Sequence, residues 1–211
     1  MRKNAIAAAT AAVLVVGGAV YYAAGGPPFG GDGEGGGIAV DRVCAQLGPA
    51  EPAARTLDGI LPATGTYRFS AGTAERRVKK SDGYATACRI LDGDRNMLFV
   101  AHTEMLATEP VAGWFSTVRA RDYPDRQLRG FGPGNSGRSS GRAAAILVPC
   151  APGAQSPEGP RSLGVTVRLP SGVRERDVER ARTAVQELAL AAARQSHRDA
   201  GCDLPSGLPA A

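Results

Sequence analysis

Residues 84–106, YATACRILDGDRNMLFVAHTEML, contain the signal that decides the fold. Two runs of strand-forming residues, Tyr84–Leu91 and Met97–Leu106, flank the segment DGDRN, in which Asp92–Gly93 is a strong turn signal. Alternation along the first run places four side chains on one mostly apolar face, namely Tyr84, Thr86, Cys88 and Ile90. We therefore predict an antiparallel hairpin whose Cys88 points inward, where it suits a structural disulfide.

The second half of the chain repeats this arrangement in outline. Ala143–Cys150 and Leu163–Leu169 are typical of two further strands, and the first of them again carries a cysteine near its end. The similarity of the two strand pairs indicates a degenerate internal repeat. Between the pairs, Val111–Arg121 is predicted to form a short helix that packs Trp114 onto the sheet, and Asp122–Arg142 to form a long polar loop.

The last element has the strongest helix signal, over Val173–Ala200. Its apolar residues recur at steps of three and four: Val178, Ala181, Val185, Leu188 and Ala192. Acidic residues lie in the early turns and basic residues near the end, as the helix dipole favours. Gly201 is predicted to stop the helix at its C′ position, and Cys202 follows where it can join the helix end to the sheet.

The residues before the hairpin carry weaker signals. Ile38–Leu47 has helical spacing and precedes Gly48–Pro49, a stop signal, and a second weak helix is predicted over Pro52–Leu61. Thr66–Ala71 alternates like a short strand. Together these patterns predict an α+β fold, in which an antiparallel sheet packs against a long C-terminal helix and a short N-terminal helix.

An apolar segment precedes the domain. Ala5–Ala24 has no charge over twenty residues, about the length that a helix needs to cross the hydrocarbon core of a membrane. Basic residues precede it and the next charges are acidic, so we expect a cytoplasmic N-terminus and an extracytoplasmic remainder. A cleaved signal peptide is the alternative, although Tyr21 and Tyr22 fit a cleavage site poorly.

These patterns divide the chain into four segments. We expect a cytoplasmic stub and transmembrane anchor at 1–24, a flexible glycine-rich tether at 25–37, an extracytoplasmic domain at 38–203 and a frayed tail at 204–211. The residues after the tether are enough for one compact domain and too few for two ordinary ones.

The four cysteines, Cys44, Cys88, Cys150 and Cys202, all follow the anchor. An even number in an exported chain predicts two disulfides, and three pairings are conceivable. We prefer Cys44–Cys88 with Cys150–Cys202, because each bond then ties a helix to a strand of its own half. Cys44–Cys202 with Cys88–Cys150 is the second choice. No CxxC pair is present, which argues against a zinc knuckle or a thioredoxin-like site.

The net charge of +5 carries little functional information. Arginine outnumbers lysine 22 to 3, alongside abundant alanine, glycine and proline, which is typical of a GC-rich genome. A mildly basic outer domain attracts anionic lipids or wall polymers, but a solvated surface shaped by codon usage is the simpler interpretation. No basic stripe with interleaved aromatic residues is present, so nucleic-acid binding is not expected.

Motifs that carry chemistry are weak. Gly132, Gly134 and Gly137 fit GxGxxG, and the stretch GRSSG at 137–141 fits GxSxG, but the predicted loop supplies neither the preceding strand nor the following helix. His102 and Glu104 share one strand face and would need a loop serine, Ser136 or Ser139, to complete a catalytic set. We expect no cofactor and no metal.

The segments around the cysteines resemble a known group of proteins. Val43-Cys44-Ala45-Gln46-Leu47, Thr86-Ala87-Cys88-Arg89-Ile90 and the closing Gly201-Cys202 are similar to those of streptomycete-type membrane-anchored or secreted proteins of actinobacteria, including the DUF3558-like lipoprotein group. The resemblance implies an α/β/α sandwich like that of Mog1 and PsbP. It transfers no catalytic residue.

The functional expectation is therefore a non-catalytic, membrane-anchored extracytoplasmic protein of the cell envelope that binds an unknown envelope protein or ligand. The alternative is a cell-envelope hydrolase that uses His102 and Glu104 with a loop serine. Self-association through the C-terminal helix is a third hypothesis.

The anchor can be tested by intact-mass analysis of the protein extracted from membranes. We expect a chain that retains Ala5–Ala24, because an uncleaved span holds the domain at the outer face. A mature chain that begins near Gly25 would show that the segment is a cleaved signal peptide instead.

Overall fold

A computed structural model describes residues 37–63, 66–73, 84–122, 128–151, 159–170 and 177–209. They belong to one compact unit, Gly35–Ala211. The predicted anchor, and all of the tether except Gly37, lie outside the described residues. None of the helices within these ranges has the length and apolar character needed to span a membrane.

The domain is α+β, as predicted, and is built on one antiparallel sheet of seven strands. The strands are β1 (Arg68–Thr73), β2 (Ala85–Leu91), β3 (Met97–Ala107), β4 (Arg129–Phe131), β5 (Gly137–Ser140), β6 (Ala143–Ala151) and β7 (Arg161–Arg168). Their order across the sheet is β1-β2-β3-β7-β6-β5-β4. Every neighbouring pair is antiparallel.

The two halves of the chain meet at the pairing of β3 with β7. The register runs from Val100 opposite Arg168 to Ala107 opposite Arg161. On one side of this pair lie β2 and then β1, and on the other β6 and then β5. In both halves the strands are therefore arranged outward from the centre in reverse chain order, and β4 is added at the far edge.

The predicted hairpin of β2 and β3 is confirmed, and its turn lies in the expected segment between Leu91 and Met97. Arg95, and not Gly93, adopts the left-handed conformation, with φ of 67°. The Asp92 carboxylate accepts hydrogen bonds from the backbone and side-chain amides of Asn96, at 2.8 and 2.9 Å. The side-chain bond is the main reason why the pKa of Asp92 is lowered from its ordinary value.

Three helices are present in the described part of the chain: α1 (Ala50–Asp58), α2 (Val111–Asp122) and α3 (Val178–Asp199). Side chains of β6 alternate between the two sides of the sheet, so they separate two cores. Ala144, Ile146 and Val148 join the larger core with α1 and α3, whereas Ala143, Ala145 and Leu147 join a smaller core with Trp114, Phe115 and Val118 of α2. We call these sides the α3 face and the α2 face.

The C-terminal helix is confirmed, with its start at Val178, and residues 171–176 lie outside the described residues. Four members of the expected stripe are buried, namely Ala181, Val185, Leu188 and Ala192. Gly201 ends the helix as predicted, with φ of 64°. The Gly201 amide donates to the carbonyl of Arg198, and the Cys202 amide donates to the carbonyl of His197. These two hydrogen bonds form a Schellman motif.

The prediction of a continuous helix over Ile38–Leu47 is wrong. The chain forms two 3-10 turns, Val40–Arg42 and Ala45–Leu47, separated by an extended Val43 and Cys44. A helix of this length is marginal by itself. The extended step instead brings Cys44 against Cys88, to which it is bonded. The weak helix expected over Pro52–Leu61 is α1, which begins two residues earlier, and Pro52 lies in its first turn, where no amide donor is needed.

Asp122–Arg142 is more ordered than the predicted loop. It contains β4, a 3-10 turn at Pro133–Asn135 and β5, while residues 123–127 lie outside the described residues. Both strands are short and rich in glycine, arginine and serine, so they lack the apolar alternation that identifies a strand in sequence.

The tail is packed where it is described, whereas fraying was expected from residue 204. Cys150 accepts backbone hydrogen bonds from Asp203 and Leu204, and the ring Nε2 of His197 lies 2.8 Å from the carbonyl oxygen of Leu204. Leu208 packs against the larger core. The disulfide of Cys202 with Cys150 positions the start of this segment beside the sheet.

The preferred disulfide pairing is confirmed. Cys44 is bonded to Cys88 and Cys150 to Cys202, with Cα–Cα distances of 5.9 and 4.5 Å. Each bond joins a segment on the α3 face to a strand of the same half.

Two strand glycines provide a matched test of the smaller core. A Cβ at Gly164 would lie 2.8 Å from Leu106 Cδ1 and 2.9 Å from Trp114 Cζ2, whereas a Cβ at Gly72 would meet nothing within 4 Å. We expect Gly164→Ala to lower the free energy of unfolding by about 1–3 kcal/mol through overpacking and to alter Trp114 fluorescence. Gly72→Ala should be neutral or slightly stabilising. Equal effects in chemical denaturation would contradict this packing of α2.

Candidate functional site

The α2 face is covered unevenly. Helix α2 packs over β6 and β7, where Trp114 lies close to Gly164. Over β1, β2 and the middle of β3, no helix in the described ranges packs on this side, and Arg68, Ser70 and Arg89 are exposed. We call this surface the open face; its described residues are Arg68, Ser70, Gly72, Ala85, Ala87, Arg89, Leu91, Val100, His102 and Glu104, with Arg168 on the adjoining strand.

Strand register orders the open face into rows. One row crosses the sheet through Ser70, Arg89, Val100 and Arg168. The next row contains Ala87, His102 and Thr166. Because neighbouring strands lie about 4.8 Å apart, the Cα atoms of Arg89 and Arg168 are roughly 10 Å from each other.

Cationic groups dominate the row of Arg89. Within the described residues, neither Arg68 nor Arg89 forms a hydrogen bond or an ion pair, and both are exposed. Arg168 is half-buried and makes an interaction of its own within the chain. Glu104, the acidic residue of the open face, lies four positions along β3 from Val100, away from this row. The arginines therefore present positive charge that Glu104 does not neutralise locally.

His102 and Glu104 lie where the sequence predicted, on one face of β3 and half-buried. The candidate serines are elsewhere. Ser139 is fully buried on the α3 face, opposite Ala144, and its hydroxyl accepts a hydrogen bond of 2.6 Å from Nε2 of Gln186. The structure does not bring Ser139 together with His102, since the sheet lies between their side chains.

Ser136 ends the 3-10 turn before β5, at the other end of the strand order from His102. Its backbone carbonyl accepts a hydrogen bond from Leu147. His102, on β3, is separated from β5 by β7 and β6. The residues proposed for a hydrolase therefore occupy three different places in the fold.

The glycine-rich motif has structural causes. Gly132 and Gly134 adopt left-handed conformations, with φ of 72° and 57°, which favour glycine. A Cβ at Gly137 would lie 2.5 Å from the ring of Phe131. The guanidinium of Arg138 donates to the carbonyls of Asn135 and Gly137 and lies 5.2 Å from the ring centroid of Phe115. This arginine holds the turn together.

A buried polar set lies on the α3 face and was not anticipated from the sequence. The Ser196 hydroxyl donates to the Thr103 hydroxyl at 3.2 Å. Thr86 pairs with Thr103 across the strands, and its buried Oγ1 has no hydrogen-bond partner. The hydroxyl of Tyr84 and Nε2 of Gln46 are likewise buried without partners. All of these groups are neutral, so the set offers no carboxylate or imidazole for acid–base chemistry.

The row of arginines was also missed. The sequence pattern placed Arg89 on the same strand face as Ala85 and Ala87, but it did not show that β3 and β7 are adjacent in the sheet.

Among the residues that the structure describes, no group of three or more His, Cys, Asp or Glu side chains is placed to hold a metal ion. Comparison with known proteins finds no matching family model, no curated relative and no similar solved structure.

The position of Ser139 gives a direct test of the hydrolase alternative. We expect no labelling of the protein by a serine-reactive fluorophosphonate, because the Ser139 hydroxyl is buried and far from an imidazole base. Ser139→Ala should instead lower the free energy of unfolding by about 1–3 kcal/mol, since it leaves the amide of Gln186 without its acceptor. Labelling that is lost on His102→Ala would contradict this interpretation.

Proposed function

We propose that this protein is a non-catalytic, membrane-anchored extracytoplasmic protein that binds an envelope protein or ligand through the open face. The observation that carries the proposal is the exposure of Arg68 and Arg89, without partners, on a sheet surface that no described helix covers. Exposed and unpaired charge on a rigid sheet is typical of a recognition surface and adds little to stability.

The location follows from sequence and covalent structure together. The uncharged Ala5–Ala24 has the length of a single span, and the glycine-rich tether separates it from the domain. Both disulfides suit an oxidising compartment outside the cytoplasm. These features support a cytoplasmic N-terminus and a domain held at the outer surface of the cell membrane.

We also infer that the chain is a streptomycete-type, DUF3558-like envelope protein with a sandwich similar to that of Mog1 and PsbP. Helices on both faces of one sheet support it. The mirrored strand order about β3 and β7 supports the degenerate repeat. In a true two-fold arrangement of this kind α2 and α3 would share a face, whereas they lie on opposite faces, so the repeat is limited to the strands.

A non-catalytic role accords with the placement of the titratable groups. A triad requires a nucleophile, a base and an acid within hydrogen-bonding reach. His102 and Glu104 lie on the open face, and the sheet separates them from Ser139. The four cysteines form the two disulfides and offer no free thiol.

Photocrosslinking in intact cells tests the binding surface. A benzophenone amino acid placed at Ser70, exposed on the open face, should give a defined adduct with an envelope component. The same group at Glu187, exposed on the outer side of α3, is the matched control and should give none. Absence of an adduct at Ser70, or the same adduct from both positions, would contradict the proposal.

A further inference from the structure

We propose that the ligand of the open face is a phosphate-bearing anionic polymer of the envelope, which lies across strands β1, β2, β3 and β7 beside α2. The inference rests on the proposed function, which it deepens by naming the class of ligand. Its basis is the line of arginines, the shape of the surface around them and the side chains between them.

The arginines form a line that crosses the strands. Arg68 lies on β1, two residues before Ser70, which pairs with Arg89 of β2. Arg89 belongs to the row that ends at Arg168 of β7. Three inter-strand steps separate the first arginine from the last, so the line is roughly 15 Å long. Successive charges at such spacing match a chain with repeated anionic groups better than a single small anion.

Guanidinium groups bind phosphate well. Their planar set of donors binds two oxygens of one phosphate at once, and they are weakly hydrated, so they lose little on contact. Arg68 and Arg89 have no internal partner to exchange for such a ligand within the described part of the chain. The exposed hydroxyl of Ser70, opposite Arg89, provides a further hydrogen-bond donor between them.

The side chains around the arginines disfavour a protein partner. Protein interfaces gain most of their affinity from aromatic or large apolar anchors that become buried. The described open face has no aromatic residue other than His102, and around the charges it carries Gly72, Ala87 and Val100 together with one larger apolar side chain, the half-buried Leu91 opposite Arg68. These mostly small side chains let an extended chain approach the arginines.

The position of α2 disfavours a flat membrane surface. The helix lies on the same side of the sheet as the open face, over β6 and β7. A helix with its side chains is about 10 Å in diameter, so α2 rises above the arginines and forms one wall of a shelf. A planar layer of headgroups would meet α2 first, whereas a single polymer chain fits on the shelf.

The test uses the full-length chain in neutral detergent, titrated with long-chain sodium polyphosphate as the probe. Modification of arginines by phenylglyoxal, mapped by mass spectrometry, reports contact residue by residue in the wild-type chain. We expect the polymer to protect Arg68 and Arg89 and to leave the reactivity of Arg42 and Arg55 unchanged, since these two are exposed away from the open face and Arg55 is paired with Glu51.

Paired variants separate a specific line of charge from general attraction to a basic protein. Arg68→Gln/Arg89→Gln should weaken binding of polyphosphate about tenfold or more, and the slope of log K against log[salt] should become less negative than about −1.4, the value for two phosphate contacts on a single-stranded polyanion. Arg42→Gln/Arg55→Gln removes the same charge and should leave binding unchanged. Equal weakening in the two pairs would overturn the proposal.

Three further comparisons distinguish a phosphate polymer from a carboxylate polymer, a membrane and a protein partner. Polyglutamate should bind more weakly than polyphosphate of similar length, and equal affinity would overturn the preference for phosphate. Nanodiscs that contain phosphatidylglycerol should not protect Arg68 and Arg89, and protection there without binding of polyphosphate would assign the face to the membrane. A protein adduct at Ser70 without binding of polyphosphate would overturn the polymer and leave the proposed binding role standing, whereas failure of both experiments would remove both.

Discussion

The pairing of β3 with β7 is the interaction on which the rest of the structure depends. Its strands are about sixty residues apart in the chain, and each is the innermost strand of its own half. Without their backbone hydrogen bonds, each half would be a three- or four-stranded sheet with an exposed edge. The pairing also brings Arg168 into the row of Arg89, so the same register that completes the sheet assembles the open face.

Around this junction, the α3 face supplies most of the buried apolar surface. Helix α3 lies across both halves, and its alanine-rich inner side allows a close approach to the sheet. The disulfides act at the ends of this layer. Cys44–Cys88 fixes the N-terminal turns onto β2, and Cys150–Cys202 fixes the end of α3 onto β6. Loops of 44 and 52 residues correspond to about 4 kcal/mol of stabilisation each in the chain-entropy model.

The two disulfides leave the contact between the halves to non-covalent interactions. Each bond closes a loop within one half, so neither links β3 to β7. The junction is held by the backbone hydrogen bonds of the central ladder and by side chains of α3, such as Ser196, whose hydroxyl donates to Thr103 of β3. The open face is therefore a rigid surface, because the opposite side of the same strands packs against one continuous core.

The elements with strong local signals were predictable from the sequence. The hairpin of β2 and β3, the inward direction of Cys88, and α3 with its stop at Gly201 all follow from periodicity and capping. The strands β4 and β5 were missed because short, glycine-rich strands have no apolar alternation. Ile38–Leu47 was predicted as a helix because spacing alone does not show that Cys44 must extend towards β2.

The candidate site was less predictable for a physical reason. The alternation of β3 correctly placed His102 and Glu104 on one face, but the position of Ser139 depended on the register of β5 with β6. The row of Arg89 and Arg168 depended on the order of strands, which is a property of the whole sheet. Local sequence identifies which side chains share a strand face, and only the assembled sheet shows which faces lie together.

The fold and its location are tested together by alkylation of thiols in intact cells before lysis, followed by non-reducing digestion and mass spectrometry. We expect no alkylated cysteine, one peptide pair joined through Cys44 and Cys88, and another joined through Cys150 and Cys202. Four alkylated thiols would place the domain in a reducing compartment, and Cys44–Cys202 with Cys88–Cys150 would contradict the fold.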